Sequence, residues 1–308
     1  MPESVLTLVG EAAPIAAAAA ASSEALRALG ATASEPDWLA PDHACDLFFD
    51  GPEPDRAAAE VRRSLAERLP GARLDVFVQR TEARRKRLIV ADLESTLIEN
   101  EMLDELAAMN GVKSEVEEIT RRAMNGEIDF AGALKSRVAL FKGLPEAELA
   151  EAATRIRLTP GASTLIATAR AHGACVALVT GGFAYFVRHV QSMLTFDAVV
   201  ANDLIIEAGR LTGEVREPIV TKEGKEAALR RLAAERGLPL SSTLAVGDGA
   251  NDLPMLKAAG LGVAFHAKPV VVEAIDNRID FGDLTGLLYA QGFRAEEFVR
   301  DPMAREEL

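Results

Sequence analysis

The sequence contains few of the residues and segments that mark secreted, zinc-binding or membrane proteins. There are only 2 cysteines and 4 histidines in 308 residues, and the histidines lack the spacing of zinc ligands. Cys45 and Cys175 lie in apolar, strand-like runs, so we interpret them as small buried residues rather than as a disulfide. No apolar run reaches the ~18 residues that span a membrane, and the Ala-rich run 16–21 lacks the basic start of a signal peptide. We therefore expect a cytoplasmic protein without a membrane partner.

Positive charge is also scarce. The chain has 34 Lys and Arg against 47 Asp and Glu, which gives a net charge of −13. A nucleic-acid partner requires a basic face, so the composition argues against one. Local charges and a metal ion can still hold a small phosphate ester. Hydrophobic residues at 49% and charged residues at 26% are typical of soluble globular domains, and the length allows one to three of them.

The most informative stretch is a short apolar run, Leu88 to Ala91, that ends abruptly at Asp92 and is followed by Glu94. Such a run predicts a buried strand of a parallel sheet. Ligands bind beyond the carboxyl ends of these strands, so both carboxylates are expected at a site. There a carboxylate can attack phosphorus or bind a metal. On this stretch alone, an acidic turn without chemistry is equally compatible.

Residues 1–83 are predicted to form a separate small domain. The predicted strands cover residues 5–9, 32–40, 44–49 and 74–78, and the predicted helices cover residues 14–29 and 56–69. The order βαββαβ is that of a ferredoxin-like sandwich. We find no catalytic constellation in this domain. It is either a packing or dimerisation module, through which a homodimer would form, or a small-molecule regulatory site.

The remainder predicts an α/β core interrupted by a helical insertion. Strands alternate with helices in residues 84–100 and 157–292, which predicts a doubly wound parallel sheet. Residues 101–156 carry four short helical patterns and no strand, so we expect them to form a cap over one end of the sheet. Residues 293–308 are assigned to a C-terminal tail, whose charged part from Glu296 is expected to be loosely attached.

Three further segments carry groups suited to phosphoryl chemistry. Gly247–Asp252 follows an apolar strand, and its carboxylates Asp248 and Asp252 offer the oxygen ligands that Mg²⁺ prefers. Thr180-Gly181-Gly182 opens a helix, so its hydroxyl and N–H groups can bind an anion, although an ordinary turn is about as compatible. Lys225 lies in the first turn of a helix and can neutralise a transferring phosphoryl group, although an isolated lysine is normally solvated. A carboxylate, a metal, an anion-binding turn and a lysine together suit transfer through an aspartyl-phosphate.

These segments, in this order, resemble the four motifs of the haloacid dehalogenase superfamily. Within it the resemblance is closer to the phosphoserine phosphatase family and covers roughly residues 87–290, including the cap segments 121–130 and 135–138. The longer bacterial members of that family also carry an N-terminal ferredoxin-like (ACT-like) domain. The resemblance therefore implies the superfamily's Rossmann-like parallel sheet with a helical cap, preceded by the small N-terminal domain.

The resemblance also implies an activity and a set of residues. The expected reaction is hydrolysis of O-phospho-L-serine to L-serine and phosphate, the last step of serine biosynthesis. Asp92 is the implied nucleophile, and Mg²⁺ is implied to bind Asp92, the backbone carbonyl of Glu94, and Asp248, with Asp252 supporting them. The residues implied to bind the phosphoryl group are Ser95, Thr180, Gly181, Lys225 and Asn251. The residues implied to bind the serine moiety are Glu101 at its ammonium, Arg137 at its carboxylate, and Met124 and Phe130 as the apolar wall.

The sequence departs from that family at Glu94, where the family has an Asp that acts as general acid and then as general base. The carboxyl group is retained but is one methylene further from the backbone, and a displacement of about 1 Å can lower a rate on the order of 10²-fold. We therefore keep three hypotheses. The chain is a phosphatase of reduced activity, a non-catalytic phosphoserine or serine sensor, or a phosphotransferase that uses an acceptor alcohol instead of water.

Overall fold

The computed structural model describes residues 2–10, 14–124 and 127–299, apart from the side chain of Met124. The N-terminal part contains the elements β1 (Ser4–Gly10), α1 (Ile15–Ala28), β2 (Thr32–Ala33), β3 (Asp37–Ala40), β4 (Ala44–Asp50), α2 (Pro54–Arg68) and β5 (Leu74–Arg80). Its antiparallel sheet has the order β2-β4-β1-β5, and β3 pairs with β4 on the same side as β2.

The two faces of this sheet have different partners because side chains alternate along each strand. Leu6 and Leu8 of β1 face the two helices, together with Leu47 and Phe49 of β4. Phe77 of β5 faces the other way and packs into the large core of the second sheet. The N-terminal sheet is therefore covered by its own helices on one face and by the rest of the chain on the other.

The order βαββαβ is correct except at one edge. The single strand predicted for residues 32–40 is interrupted, because β2 and β3 pair with different parts of β4 and a register irregularity separates them. Pro36 lies in the interruption and has no N–H with which to continue a ladder. Ser34 still bridges to β4 through Phe48, whose N–H donates to its hydroxyl at 3.0 Å.

The second part alternates strands and helices as predicted. Its elements are β6 (Leu88–Ala91), α3 (Met102–Met109), α4 (Lys113–Met124), α5 (Phe130–Ala139), α6 (Glu146–Ala153), α7 (Ala162–Ala171), β7 (Cys175–Phe183), α8 (Ala184–Val190), β8 (Ala198–Glu207), β9 (Arg210–Arg216), α9 (Lys222–Glu235), β10 (Thr243–Gly247), α10 (Leu253–Ala258), β11 (Leu261–Phe265), α11 (Pro269–Val272), β12 (Arg278–Ile279) and α12 (Gly286–Ala290). The sheet order is β12-β11-β10-β6-β7-β8-β9, and every neighbouring pair is parallel except β8 with β9.

This order places β6 at the centre, paired with β7 on one side and β10 on the other. Three of the four predicted motifs follow these strands, so the topology brings them to one edge of the sheet, and the fourth motif residue, Lys225, lies in α9. Helices α3 to α6 lie in the chain between β6 and α7, and the described residues of this insertion include no strand. The doubly wound parallel sheet with a helical insertion is confirmed, while the residue boundaries of the domains stay a prediction.

Two details differ from the prediction. The short helices α10 to α12 were not predicted. The predicted tail is attached to the core through residue 299. Phe293 is buried, and the Val299 N–H donates to the Thr168 hydroxyl at 2.8 Å. Residues 300–308 lie outside the described residues.

Candidate active site

Asp92 occupies the position after β6 that the sequence predicts. Its N–H donates to the Val246 carbonyl at 3.0 Å, which extends the pairing with β10, and its side chain is buried. The Lys225 ammonium lies 2.8 Å from Asp92 Oδ1 and 2.7 Å from Asp252 Oδ1. Lys225 is only 1% exposed, so it is not a solvated surface lysine. The fold buries one ammonium between two carboxylates at the end of the central strand.

Asp92, Asp248 and Asp252 form a compact acidic cluster. One carboxylate oxygen of each lies within 4.8 Å of the others, and all three residues are buried. Burial and the charge of Asp92 raise the pKa of Asp252 to about 7, and burial raises that of Asp248. Three close carboxylates repel each other, and oxygen-rich clusters of this kind suit a hard divalent cation. The donor set therefore fits a divalent metal ion, whose charge would favour the ionised form of all three.

Two glycines of the segment Gly247–Asp252 permit this arrangement. A Cβ on Gly247 would lie 2.4 Å from Asp252 Cγ, and a Cβ on Gly249 would lie 2.3 Å from Asn251 Oδ1. The Gly249 N–H donates to Asp252 Oδ2 at 3.1 Å. The side chains of Asn251 and Asp252 therefore pack against the backbone of their own turn, and Asn251 lies next to Asp252 of the acidic cluster.

The turn after β7 lies on the other side of Asp92. Thr180 is buried, and its hydroxyl oxygen accepts a hydrogen bond from the Gly182 N–H at 2.9 Å. A Cβ on Gly181 would lie 3.2 Å from Phe130 Cζ, so the first residue of α5 touches this turn. The insertion therefore reaches the predicted anion-binding turn, as expected of a cap.

The Glu94 side chain extends away from β6, toward the start of α3 and toward Gly182. Its Oε1 accepts a hydrogen bond from the Met102 N–H at the start of α3, at 2.9 Å. Its Oε2 faces Gly182, where an added Cβ would lie 3.1 Å away. Burial, reinforced by the charges of Glu101 and Asp92, raises the pKa of Glu94 to about 8. A carboxyl group that is protonated at neutral pH is suited to general acid catalysis.

Ser95, predicted to bind the phosphoryl group, and Glu101 and Arg137, predicted to bind the serine moiety, lie around Glu94. Ser95 has a left-handed backbone (φ 54°), and its hydroxyl donates to Glu101 Oε1 at 2.8 Å. Arg137 of α5 has a buried Nε that makes no hydrogen bond, and it forms no ion pair with any described carboxylate. An unpaired buried donor is unfavourable by about 1 to 3 kcal/mol, which an incoming carboxylate would relieve. Met124 is predicted to join this wall, but its side chain lies outside the described residues.

Two residues of the site were not predicted. Asn202 of β8 is buried, its Nδ2 donates to the Gly181 carbonyl at 2.7 Å, and its Oδ1 accepts from the Val220 N–H at 2.8 Å. It thus links the predicted anion-binding turn to the segment before α9, the helix that carries Lys225. Lys268 lies 3.1 Å from Asp248 Oδ2. An asparagine inside an apolar strand, such as Asn202 in β8, is a pattern from which a buried polar role can be predicted. The sequence around Lys268 shows no comparable pattern.

Similarity to known proteins agrees with this geometry. Residues 89–257, more than half of the chain, match the family model of haloacid dehalogenase-like hydrolases. The chain is 46% identical over 239 residues to the phosphoserine phosphatase of Streptomyces coelicolor. The aligned region covers 77% of this chain and 58% of that relative's length.

Two solved structures share the fold over nearly the whole chain. A haloacid dehalogenase family hydrolase from Salmonella enterica serovar Typhi has a TM-score of 0.82 at 27% identity, covering 96% of this chain and 99% of that one. A probable phosphoserine phosphatase from Vibrio cholerae, in unliganded form, has a TM-score of 0.76 at 32% identity, covering 96% and 88%.

The family match agrees with the fold and with the three strands that carry the motifs, and together they define a class of hydrolases. The chain belongs to the haloacid dehalogenase-like hydrolase family. Within that family its sequence and fold are similar to those of phosphoserine phosphatases. In the described ranges, no helix has both the length and the apolar character that a membrane crossing requires.

Proposed function

We propose that the chain is a Mg²⁺-dependent phosphomonoesterase that hydrolyses O-phospho-L-serine. The observation that carries the proposal is the placement of Asp92 at the end of the central strand, paired with buried Lys225 and next to two further buried carboxylates. The relatives that bear the name phosphoserine phosphatase support the choice of substrate.

The proposed mechanism has two displacements at phosphorus. A carboxylate oxygen of Asp92 forms a bond to phosphorus while the bond from phosphorus to the serine oxygen breaks, and protonated Glu94 gives that oxygen its proton. Water then attacks the aspartyl-phosphate, Glu94 takes a proton from it, and the bond from Asp92 to phosphorus breaks. Lys225 stays beside Asp92 and offsets negative charge in both steps. Mg²⁺, held by Asp92, the Glu94 carbonyl and Asp248, would supply further charge neutralisation.

Substrate binding would use both sides of the cleft. Thr180, Gly181, Ser95 and Asn251 would bind the phosphoryl oxygens, and Arg137 would bind the substrate carboxylate through its free Nε. Glu101 would bind the ammonium group. The apolar wall of the cap, with Phe130 touching Gly181, would exclude water from the reacting atoms.

The test is steady-state phosphate release from O-phospho-L-serine with Mg²⁺, for the natural chain and for Glu94→Asp. We expect release from both, with the faster rate in Glu94→Asp if the longer side chain limits proton transfer. No release from either protein would rule out the hydrolase. Tight calorimetric binding of phosphoserine without turnover would favour a sensor, and labelled transfer to added homoserine that outpaces hydrolysis would favour a phosphotransferase.

The proton-transfer role of Glu94 predicts a pH effect. A raised pKa of about 8 keeps the acid form present at neutral pH, so the first step should slow as pH rises through about 8. Glu94→Gln keeps the shape but removes the transferable proton, and should lower kcat on the order of 10²-fold. The fall in kcat above pH about 8 that we expect for the natural chain should also be absent from the pH profile of Glu94→Gln. An unchanged profile in Glu94→Gln would assign that limb to another group.

The Asn202 bridge predicts a smaller effect. Asn202→Asp replaces the donor to the Gly181 carbonyl by a carboxylate oxygen, so the anion-binding turn loses its tie to the segment before α9. We expect kcat/KM to fall about tenfold, which corresponds to the loss of one buried hydrogen bond. Asp203→Asn, at the exposed neighbouring position, is the matched control. Equal kcat/KM in the two variants would show that the bridge does not position the turn.

The proposals for the whole protein are a cytoplasmic location and a homodimer formed through the N-terminal domain. The dimer is tested by the molar mass in solution, measured by light scattering for the full chain. A monomer at micromolar concentration would assign the N-terminal domain to packing or small-molecule binding instead.

A further inference from the structure

A cavity of about 590 Å³ lies between the N-terminal sheet and the second sheet. Its walls include Val9 from β1, Phe265 from the end of β11, and Phe281. Asp92, Thr180, Lys225 and Arg137 do not line it, and of the residues proposed to bind substrate Ser95 alone does, so the cavity adjoins the candidate active site without including its acidic cluster. Ligand sites are commonly cavities of this size at the junction of two structural units.

The acidic groups that line this cavity are already engaged. Asp75 accepts hydrogen bonds from the N–H groups of residues 280, 281 and 282, at 2.7, 3.1 and 2.8 Å. Glu99 pairs with Arg157 at 2.8 Å, and Asp283 accepts from the Thr285 N–H at 2.8 Å. These carboxylates hold the walls of the cavity together, and most of their oxygens face donors of the protein.

Arg73 is the exception among the charged groups of the cavity. It forms no ion pair and no hydrogen bond with the described residues, and its guanidinium carbon lies 5.6 Å from the centroid of the Phe281 ring. Phe281 is 40% exposed, so part of its ring is open beside the cavity. His43 and His266 add imidazole groups to the same lining. The groups of this cavity that stay open to a ligand are therefore the exposed Arg73 guanidinium, the His43 imidazole and an apolar wall, whereas His266 Nε2 already lies 2.8 Å from the Gly282 carbonyl oxygen.

We propose that this cavity is a second binding site, for a small carboxylate. A guanidinium presents a planar fork of donors that matches a carboxylate, and Phe265 and Phe281 would cover the carbon skeleton. Ser95 also lines the cavity, and its hydroxyl donates to Glu101 of the candidate active site. The ligand would thus lie one hydrogen bond from the group proposed to bind the substrate ammonium. A free dicarboxylic acid and an α-amino acid both offer this chemistry.

The test is calorimetric titration of the full chain with succinate, L-serine and inorganic phosphate, in the absence of substrate. We expect a carboxylate to bind, and Arg73→Gln to weaken that binding at least about tenfold, the loss of one charge-assisted bidentate contact. Arg56→Gln removes an exposed arginine of α2 that does not line the cavity, and Arg137→Gln alters the candidate active site. Neither should change the affinity of this site.

The two carboxylate probes distinguish a dicarboxylic acid from an α-amino acid as the ligand, since succinate lacks an ammonium group and L-serine has one. L-serine is titrated into Arg137→Gln as well, because the candidate active site is itself proposed to bind serine. The proposal is wrong if neither carboxylate binds, if succinate binding, or L-serine binding in the Arg137→Gln background, survives Arg73→Gln in a protein of unchanged melting temperature, or if only phosphate binds. Because no turnover is measured, an inactive protein with Arg73-dependent binding would refute the proposed phosphatase and uphold this site.

Discussion

Asp92→Asn is expected to lower kcat for phosphate release by at least about 10⁴-fold, because an amide does not attack phosphorus. The two side chains have nearly the same shape, so the turn after β6 should keep its geometry. Lys225 retains Asp252 as a partner at 2.7 Å, and one negative charge leaves the crowded acidic cluster. The melting temperature should therefore change little while activity is lost.

The proposed aspartyl-phosphate gives this prediction a second measurement. Acid quenching after addition of phosphate-labelled substrate should trap label on the natural chain and none on Asp92→Asn. Asp104→Asn, at an exposed position of α3, is the matched control and should behave like the natural chain. Residual activity within about tenfold of the natural chain would exclude Asp92 as the nucleophile, since removal of a nucleophile normally has a far larger effect.

The sequence predicts the sheet edge well because the relevant strands are short apolar runs bounded by acidic or glycine-rich turns. The observed bounds of β6, Leu88–Ala91, are those predicted. Parallel strands that end at one edge bring their following turns together, which is why the turns that carry Asp92, Thr180 and Asp248 could be grouped from the sequence. Lys225, in the first turn of α9, could be grouped with them only by its charge and by the family resemblance. Elements of four to six residues, such as α10 and α11, contain too few turns to show a helical period.

Other features of the site depend on contacts between distant segments. The orientation of Glu94 is set by two contacts. The Met102 N–H at the start of α3 donates to Glu94 Oε1, and Gly182, which has no side chain, leaves room for Glu94 Oε2. The sequence leaves that reach undecided, because one methylene allows several side-chain conformations. The bridging role of Asn202 and the unpaired Nε of Arg137 likewise follow from tertiary packing, which spacing along the chain does not reveal.

Lys225→Met is expected to affect stability as well as activity. Burial alone would lower the pKa of Lys225, but Asp92 and Asp252 together raise it above the usual lysine value. A raised lysine pKa means that the stabilisation is fully present at neutral pH and is lost only under strongly alkaline conditions. Removing the ammonium leaves two buried carboxylates uncompensated, so the free energy of unfolding should fall by about 3 to 5 kcal/mol without metal.

Two conditions should reduce that loss of stability in Lys225→Met, and both follow from the same charges. Lowering the pH through about 7 protonates Asp252, whose pKa is already raised to about 7 with Lys225 present and should rise further without it. Adding Mg²⁺ supplies the missing positive charge to the same carboxylates. Activity should nevertheless stay low, on the order of 10³-fold below the natural chain, because the charge on the transferring phosphoryl group lacks its fixed partner.

The measurement is denaturant unfolding at two pH values, with and without Mg²⁺, beside steady-state phosphate release. Lys222→Met is the matched control, because Lys222 lies in the same first turn of α9 but is exposed. A loss of stability that is equal in the two variants, or that ignores both pH and Mg²⁺, would contradict the electrostatic role of Lys225. A loss confined to Lys225→Met and relieved by either condition would show that the buried ammonium and the metal compensate the same carboxylates.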